Sequence, residues 1–152
     1  MKIMVSACLL GENCKYNGGN NYSERLSELL QGHEVISVCP EVLGGLSIPR
    51  TPGEIVDGEV RTREGKSLDA EFRRGAEIAM EMVREKKPDL VVLQSRSPSC
   101  GVNQVYDGTF SGKKIPGHGV FAEMVISAGF RVLDIEEAEL MKEFTEESLK
   151  SQ

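Results

Sequence analysis

Short apolar runs alternate with amphipathic stretches along the chain. Lys2–Ala7 (KIMVSA), Glu34–Val38 (EVISV), Leu90–Gln94 (LVVLQ) and Phe130–Asp134 (FRVLD) are brief and rich in β-branched residues, the pattern of buried strands. Leu68, Phe72, Ala76, Ala79 and Val83 recur at helical spacing. They predict a helix from about Leu68 to Lys86, with Ser67 as N-cap and Pro88 as the stop. Further helices are expected at Ser23–Gln31, ended by Gly32, and at Gly119–Ala128, ended by Gly129. A fourth, acidic, follows Asp134 and runs into a charged tail expected to fray. Glu54–Thr62 carries Asp57-Gly58 between extended residues, a hairpin signal, and Val105–Phe110 repeats it with Asp107-Gly108.

Strands alternating with helices predict an α/β fold, a mostly parallel, Rossmann-like sheet with flanking helices. The expected organisation is a single domain over residues 1–152, with 134–152 as the acidic C-terminal helix and tail. Ligands of such sheets bind beyond the strands' carboxyl ends. Cys8 and Cys39 sit just past two predicted strand ends, and Cys100 lies in the loop after a third. The topology therefore turns three distant cysteines into neighbours.

Composition narrows the function classes. Hydrophobic residues make up 39% and charged residues 28% of the 152, a soluble globular balance. Aromatics are 5%, without Trp, so the core is expected to be aliphatic. A formal net charge of −6 gives no electrostatic footprint for long nucleic acid, though a single base or nucleotide is not excluded. The first residues hold neither an export signal nor a membrane span, which points to a reducing cytoplasm. There, four cysteines are ligands or nucleophiles sooner than disulfides. Their spacing alone is weak evidence: Cys8 and Cys14 are not a CxxC pair, and a cysteine can equally be a small buried hydrophobe. The neighbours, Ser6-Ala7, Pro40-Glu41 and Ser99 with Gly101, are polar or turn-forming instead of apolar.

Four blocks, SACLLGENCKYNG (Ser6–Gly18), CPEVLGGLSIPR (Cys39–Arg50), SPSCG (Ser97–Gly101) and YDGTFSG (Tyr106–Gly112), resemble in this order the signature of the thiouracil desulfurase family. The resemblance reaches to about Gly129. It implies a [4Fe–4S] cluster held by three cysteines, at positions matching Cys8, Cys39 and Cys100, with one iron left without a protein ligand. It also implies non-redox desulfuration of a small thiolated pyrimidine, thiouracil or a thiouridine nucleotide, to the oxo pyrimidine and hydrogen sulfide. Cys14, replaced in other members, reads as dispensable or as a fourth ligand that would close the site.

Glu41, two residues after Cys39, is the expected proton shuttle, because a carboxylate beside an anionic cluster has its pKa raised. Pairing with Arg50 is its alternative role. Ser97 and Ser99 are expected to donate to a substrate ring oxygen or to cluster sulfur, or else to serve only the turn. Gly117-His118-Gly119 opens a helix whose free N–H groups suit a phosphate or carbonyl oxygen. Met80 and Met82 read as packing, and the Arg61–Arg63 and Arg73–Arg74 pairs as solvated charge. Two other functions use the same cysteines: an iron–sulfur electron-transfer or storage protein with four ligands, and a zinc or thiol-redox protein without catalysis.

Overall fold

The computed structural model describes residues 1–150, and 151–152 lie outside the described residues. The acidic helix and fraying tail expected over 134–152 are instead two short helices, Ile135–Glu139 and Glu146–Lys150, with Met141, Phe144 and Leu149 buried in the core. The chain runs β1 (Lys2–Ser6), a 3-10 turn (Ala7–Leu10), α1 (Glu24–Leu30), β2 (Glu34–Val38), α2 (Pro40–Leu43), β3 (Gly53–Val56) and β4 (Glu59–Thr62). It continues through α3 (Asp69–Lys86), β5 (Leu90–Leu93), β6 (Gln104–Tyr106), β7 (Lys114–Pro116), α4 (Val120–Ser127), β8 (Val132–Asp134), α5 (Ile135–Glu139) and α6 (Glu146–Lys150). The four strands read from the apolar runs form one wholly parallel sheet in the order β2-β1-β5-β8.

Period-two alternation divides the core between the two faces. Ile3, Val5, Leu90 and Val92 pack with Leu26, Leu29 and Leu30 of α1 and with Ile135 and Ala138 of α5. Met4, Val91 and Leu93 meet Phe72, Ala76 and Ala79 of α3 and Phe121 and Val125 of α4. Met80 is buried there and Met82 packs against the same cluster, as expected.

The structure corrects several local expectations. β2 is not a buried strand: only Val38 is buried and Val35 is exposed, because β2 is the sheet's edge and pairs with β1 alone. Ser67 is not the cap of α3. Leu68 takes that position without a side-chain cap bond, and Ser67 Oγ accepts only from Asp69 N at 3.3 Å. The helix ends at Lys87, left-handed at φ 49°, just before Pro88.

Asp57 and Gly58, at φ 49° and 82°, make the two-residue turn of the β3–β4 hairpin. Asp107-Gly108 does not repeat it. Tyr106 pairs with Lys114, leaving residues 107–113 as a long loop, and the Asp107 carboxylate accepts from Thr109 N at 2.9 Å and Oγ at 2.6 Å. Gly44 does more than turn the chain: a Cβ there would lie 2.0 Å from Glu71 O, and one on Gly75 would lie 1.8 Å from Pro40 O. The two glycines let α2 and α3 touch backbone to backbone.

Candidate functional site

The chain leaves β1 for β2 through α1 on one face and returns to β5 through α3 on the other. The connections diverge above β1 and β5, and such a divergence opens a crevice at the carboxyl ends of parallel strands. A cavity of about 570 Å³ lies there, and Cys8, Cys14, Cys39, Cys100 and Glu41 are all on its wall.

Each side chain is placed by a local device. Cys8 rides the 3-10 turn that follows β1, which ends at left-handed Gly11; Asn21 Nδ2 donates to Cys8 Sγ at 3.6 Å and Asn21 N to Cys8 O at 2.9 Å. Cys39 caps α2, Pro40 fills its first position, and Glu41 follows in the first turn. Cys100 sits in a loop tied down along its length. Gln94 N donates to Ser6 Oγ at 3.0 Å, Ser95 Oγ to Asp134 Oδ2 at 2.7 Å, and Arg96, at φ 62°, to Glu136 at 2.7 Å. The N-terminus of α4 completes the clamp: the N–H groups of Gly119, Val120 and Phe121 donate to the carbonyls of Gly101, Pro98 and Ser99. Those N–H groups are therefore not free for a phosphate, because the chain's own carbonyls fill them. His118, bonded through Nδ1 to Val102 O, belongs to the same scaffold.

Burial dominates the electrostatics. It raises the Cys8 and Cys100 thiols above their ordinary value and pushes Cys14 up to about 12, where the neighbouring Cys39 adds to the effect. Cys14 comes within hydrogen-bonding reach of Cys39. Glu41 is also raised, by desolvation that outweighs Arg50. Arg50 NH2 lies 3.6 Å from Glu41 Oε1, an ion pair too long for a good hydrogen bond. The guanidinium is held instead by Cys14 O at 2.9 Å and Ser47 O at 3.2 Å, with its side chain 7% exposed.

The two serines part company. Ser97 is on the cavity wall, and its Oγ accepts from Ser99 N and Cys100 N, both at 3.0 Å, which leaves its hydroxyl hydrogen to donate. Ser99 is fully buried and is not part of the wall. Its Oγ and Arg50 Nε are buried without a partner, two orphaned donors of the kind that mark an absent acceptor. Among the described residues, no three His, Cys, Asp or Glu side chains gather tightly enough for a single metal ion.

The comparisons with known proteins bear on what the cavity holds. The family model described as 2-thiouracil desulfurase matches residues 3–137. The chain belongs to the 2-thiouracil desulfurase family. It is 39% identical over 141 residues to the uncharacterized protein YbbK of Bacillus subtilis (strain 168), covering 86% of this chain and 93% of that one. It is also similar to a solved structure, the [4Fe-4S]-dependent thiouracil desulfidase TudS. That match has a TM-score of 0.83 at 37% identity and covers 90% of this chain and 91% of the other.

The donor set fits what the 2-thiouracil desulfurase family implies. Soft thiolates select iron–sulfur clusters, and cluster sulfur takes hydrogen bonds from nearby donors. Asn21, absent from the sequence-based reading, supplies one such donor at Cys8; no motif pointed to it. Arg63 was expected to be mere solvated charge. It is exposed but stands on the cavity rim, where NH2 donates to Phe110 O at 3.0 Å. Arg61 and Arg73 do pair on the surface, with Glu59 and Asp69.

Proposed function

We propose that this chain removes sulfur from a thiolated pyrimidine, giving the oxo pyrimidine and hydrogen sulfide, at a [4Fe–4S] cluster held by Cys8, Cys39 and Cys100 alone. The observation that carries this reading is that all three line one cavity at the sheet's carboxyl edge. When bound, the cluster supplies a soft Lewis acid through its one iron without a protein ligand, suited to polarising a thiocarbonyl through sulfur.

The chain's own groups do the rest. Glu41, its side chain 20% exposed and its pKa raised, takes a proton at its carboxylate from the water that attacks the ring carbon. It returns that proton to the departing sulfur. The balance is thiocarbonyl plus water to carbonyl plus hydrogen sulfide, with no electron gained or lost. Ser97 offers its hydroxyl hydrogen to a ring oxygen. Ser99, fully buried and off the wall, is left with its other expected role, serving the turn before Cys100. Lys15, Arg63 and Arg96 ring a cavity within the roughly 300–1,000 Å³ of drug-sized ligands, which favours a nucleotide over the free base. All four cysteines are free thiols, consistent with a reducing, cytoplasmic setting. Among the described residues, no helix is long and apolar enough to cross a membrane.

The test is anaerobic loading followed by assay against 2-thiouracil, 4-thiouracil and thiouridine monophosphate. Oxo pyrimidine and sulfide should form in equal amounts without added reductant. A loaded protein that leaves all three unchanged, or that needs a reductant, would defeat the reading.

A further inference from the structure

The loop at 107–113 is held in an unusual shape. Phe110 takes φ 57°, a left-handed backbone that a bulky aromatic residue seldom adopts. Such conformations persist where the surroundings over-determine them, and they cluster at ligand sites. Here three constraints converge. The Glu54 carboxylate accepts from Gly108 N at 3.0 Å and from Phe110 N at 3.1 Å. Arg63 NH2 donates to Phe110 O, and the Arg63 guanidinium lies 5.8 Å from the centre of the Phe110 ring. Gly108 approaches so closely that a Cβ would meet Ile55 O at 2.7 Å.

The result of this pinning is a half-buried aromatic ring on the wall of the cavity that holds the cysteines. Glu54 comes from β3 and Arg63 directly follows β4, so the hairpin presents the ring.

We infer that Phe110 is the surface on which the substrate's pyrimidine ring stacks, with Glu54 and Arg63 as positioning residues that hold it there. The inference rests on the desulfurase reading and names a specificity element within it. Every pyrimidine has a π-face, and stacking on an aromatic side chain fixes the plane of the ring without reading its substituents. A plane fixed by Phe110 leaves the exocyclic sulfur free to be directed by polar groups of the same cavity wall.

The sequence contains no Trp, so Phe110→Trp introduces a single tryptophan at the proposed contact, which can be excited at wavelengths where the three tyrosines do not absorb. Titrating that variant with uridine monophosphate, in the unloaded protein, should quench its emission saturably; a flat titration overturns the inference. In the loaded enzyme, Phe110→Ala and Phe110→Leu should each raise KM about tenfold or more with kcat nearly unchanged, while Phe110→Tyr stays near wild type. Glu54→Ala should raise KM in the same way with the visible cluster spectrum unaltered, and Glu54→Gln, which keeps an acceptor, should restore it. A wild-type KM in Phe110→Ala overturns the proposal, and so does a wild-type KM in Phe110→Leu, since apolar bulk alone would then suffice. These outcomes are separable from failure of the desulfurase reading, in which the unaltered loaded enzyme would itself be inactive.

Discussion

Cys14 and Glu41 stand on the same wall as the three proposed ligands, and each poses a different chemical question. Cys14 is held close to Cys39 with its thiol pushed up to about 12, so it stays protonated and neutral at physiological pH in the unloaded site. Burial raises Cys8 and Cys100 as well, so ionisation does not set Cys14 apart; its dispensability is what the family resemblance implies. Cys14→Ala should therefore retain the visible absorption and the iron content of the loaded protein, whereas Ala at Cys8, Cys39 or Cys100 should abolish both. Loss of iron in the Cys14 variant would make it a fourth ligand and favour electron transfer over catalysis. For Glu41 the prediction is kinetic and thermodynamic. Glu41→Gln should keep the cluster and slow turnover by about 10²–10⁴-fold, the usual worth of a positioned acid–base group. In the unloaded protein the folded-state pKa of Glu41 lies above its ordinary 4.5, so the native state binds the proton more tightly than the unfolded one. Its contribution is fully present below that ordinary value and is lost as pH rises through the raised one. Melting temperatures of the unloaded protein from about pH 4 to pH 8 should fall less steeply in Glu41→Gln than in wild type. Equal slopes would mean the carboxyl is not desolvated.

At the scale of elements, α2 is the piece on which the site depends most, and it is the piece the sequence pattern hides. Four residues are too few for a helical period, and only the CPEV block marks the place. What holds α2 is the crossing of Gly44 and Gly75, where an added Cβ would collide with backbone oxygen on either side. Gly75→Ala should cost about 1–3 kcal/mol of stability through overpacking. It should also lower iron retention, since α2 carries both Cys39 and Glu41. Gly45→Ala is the control: at φ 92° but in open space it adds local strain of about 1–2 kcal/mol and should leave iron retention alone. Chemical denaturation and iron analysis read both effects. The other elements were legible in proportion to their length and exposure. The apolar runs at β1 and β5 and the stripe of α3 declared themselves, because burial on a fixed period leaves a pattern. β2 was identified as a strand but misjudged as buried, since its apolar residues do not disclose that it is an edge. The 107–113 loop was misread because Asp-Gly signals a turn only when both residues turn left-handed, and the Asp107 side chain chose otherwise. The cysteines were paired correctly with strand ends. The Glu41–Arg50 pairing was also legible, while Asn21 and the clamp around Cys100 depend on contacts distant in sequence, which periodicity does not carry.

For the whole molecule, cluster binding and folding are one equilibrium. The three thiols reach the cavity from the ends of β1 and β2 and from the loop after β5, and they meet only when the parallel sheet has formed. A group that binds the native state alone stabilises it by mass action, so the loaded protein should unfold at a higher temperature than the unloaded one. Protons set the size of that gap. Burial holds Cys8 and Cys100 above their ordinary value of 9.0, so each must lose a proton to become a ligand. Binding that releases protons strengthens with pH, by up to about tenfold per pH unit for each proton released. The difference in melting temperature between loaded and unloaded protein, measured anaerobically, should therefore widen from mildly acidic to mildly alkaline solution. Proton release on loading, read with an indicator dye in weak buffer, should account for the slope. A gap independent of pH would mean that the thiols are already ionised in the unloaded fold, and a gap of zero would mean that the three strand ends do not hold the cluster together.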